Sequence, residues 1–113
     1  MTRVCYDRED LRLTMEGHAG AGAVGADPVC AALSMLMMTL ERRMEDRAER
    51  TLPVIRRGAG SFLIVCSPEG RDEALCRESF DTVAAGLSLL AENRADCVSF
   101  RMEGEDLEEE DDG

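Results

Sequence analysis

The segment GHAGAGAVGADPVCAALSMLMMTL, residues 17–40, decides how the chain is read, because three kinds of local structure meet inside it. Just before it, Leu11, Leu13 and Met15 alternate with Arg12, Thr14 and Glu16, the period of two of a half-buried strand that ends at Gly17-His18. Residues 19–26 are then only Ala, Gly and Val, and Gly20, Gly22 and Gly25 leave that backbone nearly unrestrained. Asp27 is a good N-cap, and Pro28 suits the first helical position because its missing N–H would be unpaired there anyway. A helix is expected from Pro28 to about Arg47, with Leu33, Leu36, Leu40 and Met44 as its buried stripe. Strand end, loop and capped helix start thus set the only histidine, His18, against Cys30 in the first turn of a helix.

Working outward, Thr2, Val4 and Tyr6 alternate weakly with Arg3 and Cys5, and Asp7-Arg8-Glu9-Asp10 joins this strand to the next as a hairpin. Met35, Met37 and Met38 read as packing and gap filling, and residues 41–50 as a solvated helix face with intrahelical ion pairs. Residues 51–57 and 61–67, joined by Gly58-Ala59-Gly60, read as a second hairpin. Its strand SFLIVCS is apolar on both faces and therefore central, while Pro53 puts the partner strand nearer an edge. A second helix over about residues 69–93 carries Cys76, Phe80, Val83, Leu87 and Leu90 on one face. A last strand, residues 97–102, has Val98, Phe100 and Met102 on one side. The expected fold class is α+β in two layers. Elements run ββαββαβ, giving a mostly antiparallel sheet of about five strands with two helices on one face. The uncovered sheet face, or its edge, is the natural place for a homodimer contact.

At 113 residues the chain is one domain able to bury an ordinary core. No run approaches the roughly 20 apolar residues of a membrane span, and MTRVCYDRED lacks the apolar centre of a signal peptide. A cytoplasmic location without a membrane is expected. Cys5, Cys30, Cys66, Cys76 and Cys97 form no C-x-x-C pair, which argues against a zinc site and for free thiols, most of them buried. The net charge of −11 is uneven, because residues 103–113 hold eight of the 24 acids and no base. Without them, 13 bases face 16 acids, a net charge of −3. The expected organisation is a domain over residues 1–102 and an acidic, disordered tail over residues 103–113. Such a tail repels phosphate, so no direct nucleic-acid binding is expected.

The chemistry belongs to the loop and helix start. With Asp27 as N-cap, Cys30 lies where unpaired N–H groups carry roughly half a positive charge, which favours an anionic sulfur. An imidazole beside it serves as base, and later as acid toward a leaving amine. The N–H groups of Val29, Cys30 and Ala31 are candidates for an oxyanion hole. Asp27 either orients His18 or only caps the helix. Ser34, one turn after Cys30, either lines the site or bonds a backbone carbonyl.

Gly17-His18-Ala19-Gly20, followed by Gly25, Asp27, Val29-Cys30-Ala31-Ala32 and Ser34, resembles the signature of the ribosomal-processing cysteine protease family, Prp. The match is dense over residues 17–34. The resemblance implies a catalytic dyad of His18 and Cys30, with Asp27, Ser34, Gly17, Gly20, Gly25 and Ala31 as substrate-binding or supporting residues. It also implies a small cytoplasmic bacterial homodimer that needs no cofactor. Its partner would be the N-terminal extension peptide of a large-subunit ribosomal protein, removed during ribosome assembly. The chain departs from the family pattern at Ala21 and Val24, positions often large or aromatic in relatives, and at Pro28, usually aliphatic.

Three functions follow. The first is a cysteine endopeptidase with Cys30 as nucleophile and His18 as general base and acid. The second is a non-catalytic, ribosome-associated binding module on the same fold. The third is a thiol redox sensor, which needs Cys5, Cys66 or Cys97 to approach Cys30 as a resolving thiol.

Overall fold

The computed structural model describes residues 1–23 and 26–104. Val24, Gly25 and residues 105–113, most of the acidic tail, lie outside the described residues. The elements are β1 (Thr2–Asp7), β2 (Arg12–Glu16), α1 (Pro28–Glu45), α2 (Ala48–Thr51), β3 (Pro53–Gly58), β4 (Ser61–Cys66), α3 (Arg71–Asn93) and β5 (Val98–Glu103). The expected ββαββαβ order holds, with the single turn of α2 added.

One five-stranded sheet runs in the order β3-β4-β2-β1-β5. Its pairings are antiparallel except β1 with β5, which run parallel from Thr2↔Val98 to Asp7↔Glu103. As Pro53 demands, β3 is an edge strand, and β4 lies inside the sheet between β3 and β2. The register aligns Met102, Tyr6, Leu13, Ile64 and Ile55 across all five strands, and Phe100, Val4, Met15 and Phe62 in the next row. These rows face α1 and α3. Tyr6, Leu13, Ile64, Met37, Phe80 and Leu87 are completely buried between the layers. The opposite sheet face, with Val54 exposed and Leu63 and Val65 half-buried, is covered by no helix among the described residues.

Four local readings are corrected. In α1 the buried residues are Val29, Leu33, Met37, Leu40 and Met44, so Met37 takes the central place expected of Leu36. Leu36 sits half-buried at the crossing with α3, where a Cβ on Gly86 would meet its Cδ2 at 3.0 Å. Met35 and Met38 face solvent rather than filling gaps. Leu11 is not in the strand but in the β1–β2 turn, buried, with φ +53°. Finally, α1 stops at Glu45 and the chain re-forms one helical turn at Ala48–Thr51 before Leu52, at φ +49°, turns it into β3. The hydroxyl of buried Thr51 donates to the Met44 carbonyl at 2.8 Å, which also accepts the Arg47 N–H at 3.2 Å, so this one carbonyl ties the end of α1 to α2.

At the far end, Tyr6 donates its hydroxyl to Asp81 at 2.7 Å and Arg8 grips the same carboxylate, which ties β1 to α3. That leaves the other end of the sheet, where β2 finishes and β4 begins, for the site.

Candidate active site

At the start of α1, Asp27 has an extended backbone (φ −90°, ψ 110°), and its Oδ1 accepts the N–H groups of Val29 at 2.9 Å and Cys30 at 3.0 Å. Its Oδ2 accepts the N–H of Ala21 at 2.8 Å. The carboxylate therefore clamps the glycine-rich loop to the helix start. These hydrogen bonds, the one from Cys30 foremost, hold its carboxyl below the usual carboxylate range. These three contacts are to backbone, and the Cys30 thiol also hydrogen-bonds the carboxylate, so Asp27 acts as cap and clamp and makes no hydrogen bond with His18 among the described residues.

The loop returns across the thiol. The N–H of Ala19, the residue after His18, points at Cys30 Sγ across 3.3 Å. By contrast, the N–H groups expected to form an oxyanion hole are taken. Those of Val29 and Cys30 go to the Asp27 side chain, and that of Ala31 goes to the Asp27 carbonyl at 3.0 Å. Ala19 is the donor that sequence reasoning missed, because nothing in a run of Ala and Gly marks which N–H faces the sulfur.

Gly17 is required by sterics. Its φ is +94°, and a Cβ there would lie 2.3 Å from the Met1 carbonyl oxygen. Its carbonyl accepts from the Thr2 hydroxyl at 3.3 Å and its N–H donates to the Gly60 carbonyl at 2.8 Å. Gly20, at φ +78°, has open space around it, so its requirement is conformational alone. Gly25 lies outside the described residues.

His18 is exposed, at the junction of two open clefts that both reach Cys30 and Ser34. One, of about 240 Å³, runs along the loop past Gly20, Asp27 and Ala31. The other, of about 260 Å³, is floored by Met15, Leu33, Met38 and Phe62. The Ser34 hydroxyl makes no hydrogen bond among the described residues, unlike those of Thr39, Ser79 and Thr82, which return to carbonyls four residues back. It faces the clefts instead.

Cys30 is the only cysteine lining either cleft. The other four thiols are pushed up, mainly by burial: Cys66 to about 12, Cys76 with help from Asp72, Cys97 with help from Asp96, and Cys5 against the opposing pull of Arg101. Among the described residues no three His, Cys, Asp or Glu side chains converge as metal ligands would.

A half-buried thiol in the first turn of a helix, with a backbone donor on its sulfur and an imidazole across the same cleft, is equipped for thiol hydrolase chemistry. The chain belongs to the Prp family of cysteine proteases: the family model described as "Cysteine protease Prp" matches residues 1–99. Solved structures agree on the fold. The ribosomal processing protease Prp of S. aureus, in complex with a covalently linked product peptide, is 21% identical. It superposes with a TM-score of 0.74 over 90% of this chain and 97% of that one. The same protease with a substrate peptide gives a TM-score of 0.70 at 19% identity, over 91% and 100% of the two chains. SMU.848 from Streptococcus mutans is 25% identical, with a TM-score of 0.64 over 89% and 90%. No curated protein matches the chain significantly.

Proposed function

We propose that this cysteine protease is an endopeptidase in which Cys30 is the nucleophile and His18 the general base and acid. Its substrate is the N-terminal extension of a large-subunit ribosomal protein, removed during ribosome assembly. The observation that carries the reading is the convergence on one sulfur of the helix start, the Ala19 N–H at 3.3 Å and a cleft shared with His18. The S. aureus relatives, solved with substrate and product peptides, support the same class of ligand.

His18 takes the Cys30 proton, and the thiolate attacks the peptide carbonyl carbon to form a C–S bond and a tetrahedral oxyanion. The intermediate collapses as the C–N bond breaks and the histidinium gives its proton to the departing amine. Water, deprotonated by His18, then attacks the thioester. The C–S bond breaks, the acid product leaves, and the thiol is restored. The Ala19 N–H is the donor best aimed at the charge that builds beside the sulfur. Ser34, Gly20 and Ala31 line the peptide cleft, and Asp27 holds its wall in place. The reaction needs no cofactor.

The same reading puts the enzyme in the cytoplasm as a homodimer that uses the helix-free sheet face, without contact to nucleic acid or membrane. No helix among the described residues is long and apolar enough to cross a membrane.

The test is a synthetic peptide spanning the junction between extension and mature ribosomal protein, followed by mass spectrometry. The protein should cut it once, Cys30→Ala should abolish the cut, and His18→Ala should slow it by about a hundredfold or more. Peptide bound but never cut would favour the binding module, and full activity in Cys30→Ala would refute the mechanism.

A further inference from the structure

We propose that Gly60, in the turn between β3 and β4, is a positioning residue that sets the imidazole of His18. The inference rests on the dyad reading above and adds to it a residue from a different hairpin. A Cβ on Gly60 would stand 3.1 Å from His18 Nε2, 3.5 Å from Cε1 and 3.6 Å from Cδ2. The two carbons bonded to Nε2 are nearly as close as Nε2 itself. The ring therefore lies face-on over the glycine at its Nε2 end, leaving the edges of the ring free toward the clefts.

A second contact fixes the same neighbourhood. The Gly60 carbonyl accepts the N–H of Gly17 at 2.8 Å, so one residue holds both the backbone before His18 and the His18 ring. Turn conformation alone is an incomplete account of this glycine. Gly60 has φ +71° and Gly70 has φ +61°, yet a Cβ on Gly70 would meet nothing within 4 Å. At Gly60 the space that a side chain would fill is occupied by the imidazole. Any side chain there must push the ring by a few tenths of an ångström. His18 is exposed, with open cleft on both sides, so the ring yields by swinging away from its place in the clefts it shares with the thiol. Displacements of this order at a reacting group cost rate rather than ground-state binding.

The contact itself is read in the unaltered protein. His18 is the only histidine, so its ring protons are assigned directly, and they should show nuclear Overhauser contacts to the Gly60 α-protons. Absence of those contacts overturns the proposal without any variant. Its consequence is read in Gly60→Asn, because Asn tolerates a left-handed φ better than other side chains and so separates the Cβ from the turn. Gly60→Asn should lower kcat by about tenfold with KM nearly unchanged, and slow Cys30 alkylation by a similar factor. Ala59→Ser, exposed in the same turn, should match the unaltered protein in both. Unchanged kcat and alkylation in a folded Gly60→Asn overturns the role of Gly60 and leaves the dyad standing. A Cys30 that shows no enhanced alkylation in the unaltered protein overturns the dyad, and this proposal with it.

Discussion

The N–H of Ala19 and the sulfur of Cys30 stand 3.3 Å apart, although the two residues are eleven positions apart in the chain. Only a loop folded back over the helix start achieves this, and the Asp27 carboxylate holds it there through Ala21 on one oxygen and Val29 and Cys30 on the other. Loop, cap and thiol form one mechanical unit.

Asp27→Asn should therefore weaken the fold and the activity together, since an amide supplies one acceptor oxygen where the carboxylate supplies two. The folded-state carboxyl titrates below its ordinary value, so the stability it adds is complete above about pH 4–5 and is lost as pH falls through the lower, folded value. Asp96, drawn down to about 2 chiefly by Arg94, adds in the same direction. Urea midpoints measured from about pH 6 down to pH 2 should decline for the unaltered protein and decline less steeply for Asp27→Asn. Equal pH slopes would show that the carboxylate charge contributes nothing.

Tyr6→Phe probes the opposite end of the sheet. Its buried hydroxyl donates to Asp81, which keeps Arg8 as a partner, so the loss should be about 1 kcal/mol with activity unchanged. Burial first, then the bond to Asp81, raises the phenol above its ordinary range, so the stability it contributes is full below about pH 10 and is lost at higher pH. Tyr6→Phe should blunt alkaline unfolding followed by circular dichroism. A fall in peptide cleavage beyond the fall in folded fraction would contradict this separation of scaffold from site.

Gly17→Ala places a methyl 2.3 Å from the Met1 carbonyl at a φ of +94°. The strand end must shift, at a cost of about 1–3 kcal/mol. Because Gly17 precedes His18 directly, cleavage should drop by more than the lost stability explains. Thermal melts and kinetics on the same preparation check this, and an active, stable Gly17→Ala would remove Gly17 from the site.

Signals that act within a few residues were legible in the sequence. Asp27-Pro28 gave the cap, Pro53 the edge strand, the two-sided apolar run of β4 its inner position, and α3 its buried face at Cys76, Phe80, Val83 and Leu87. Features set by distant contacts were not. Leu52 and Leu11 adopt positive φ without being glycine, so no residue type announced the break before β3 or the turn before β2. The parallel pairing of β1 with β5 joins the two ends of the domain. Met37 displaced Leu36 because α3 approaches α1 at Gly86, which leaves Leu36 on the seam. At the site, both residue types were readable, but the Ala19 donor and the occupied N–H groups of Val29, Cys30 and Ala31 depend on the path of a loop whose side chains carry no signal.

The central claim is that Cys30, alone among five thiols, is activated by the helix start, the loop and His18. Alkylation near neutral pH with a limiting amount of iodoacetamide, followed by peptide mapping, tests it most directly. Cys30 should label well before Cys5, Cys66, Cys76 and Cys97, whose thiols are all pushed up, and His18→Ala should remove most of that lead. Cys30 labelling no faster than the other four, or a lead that His18→Ala leaves intact, would contradict the account.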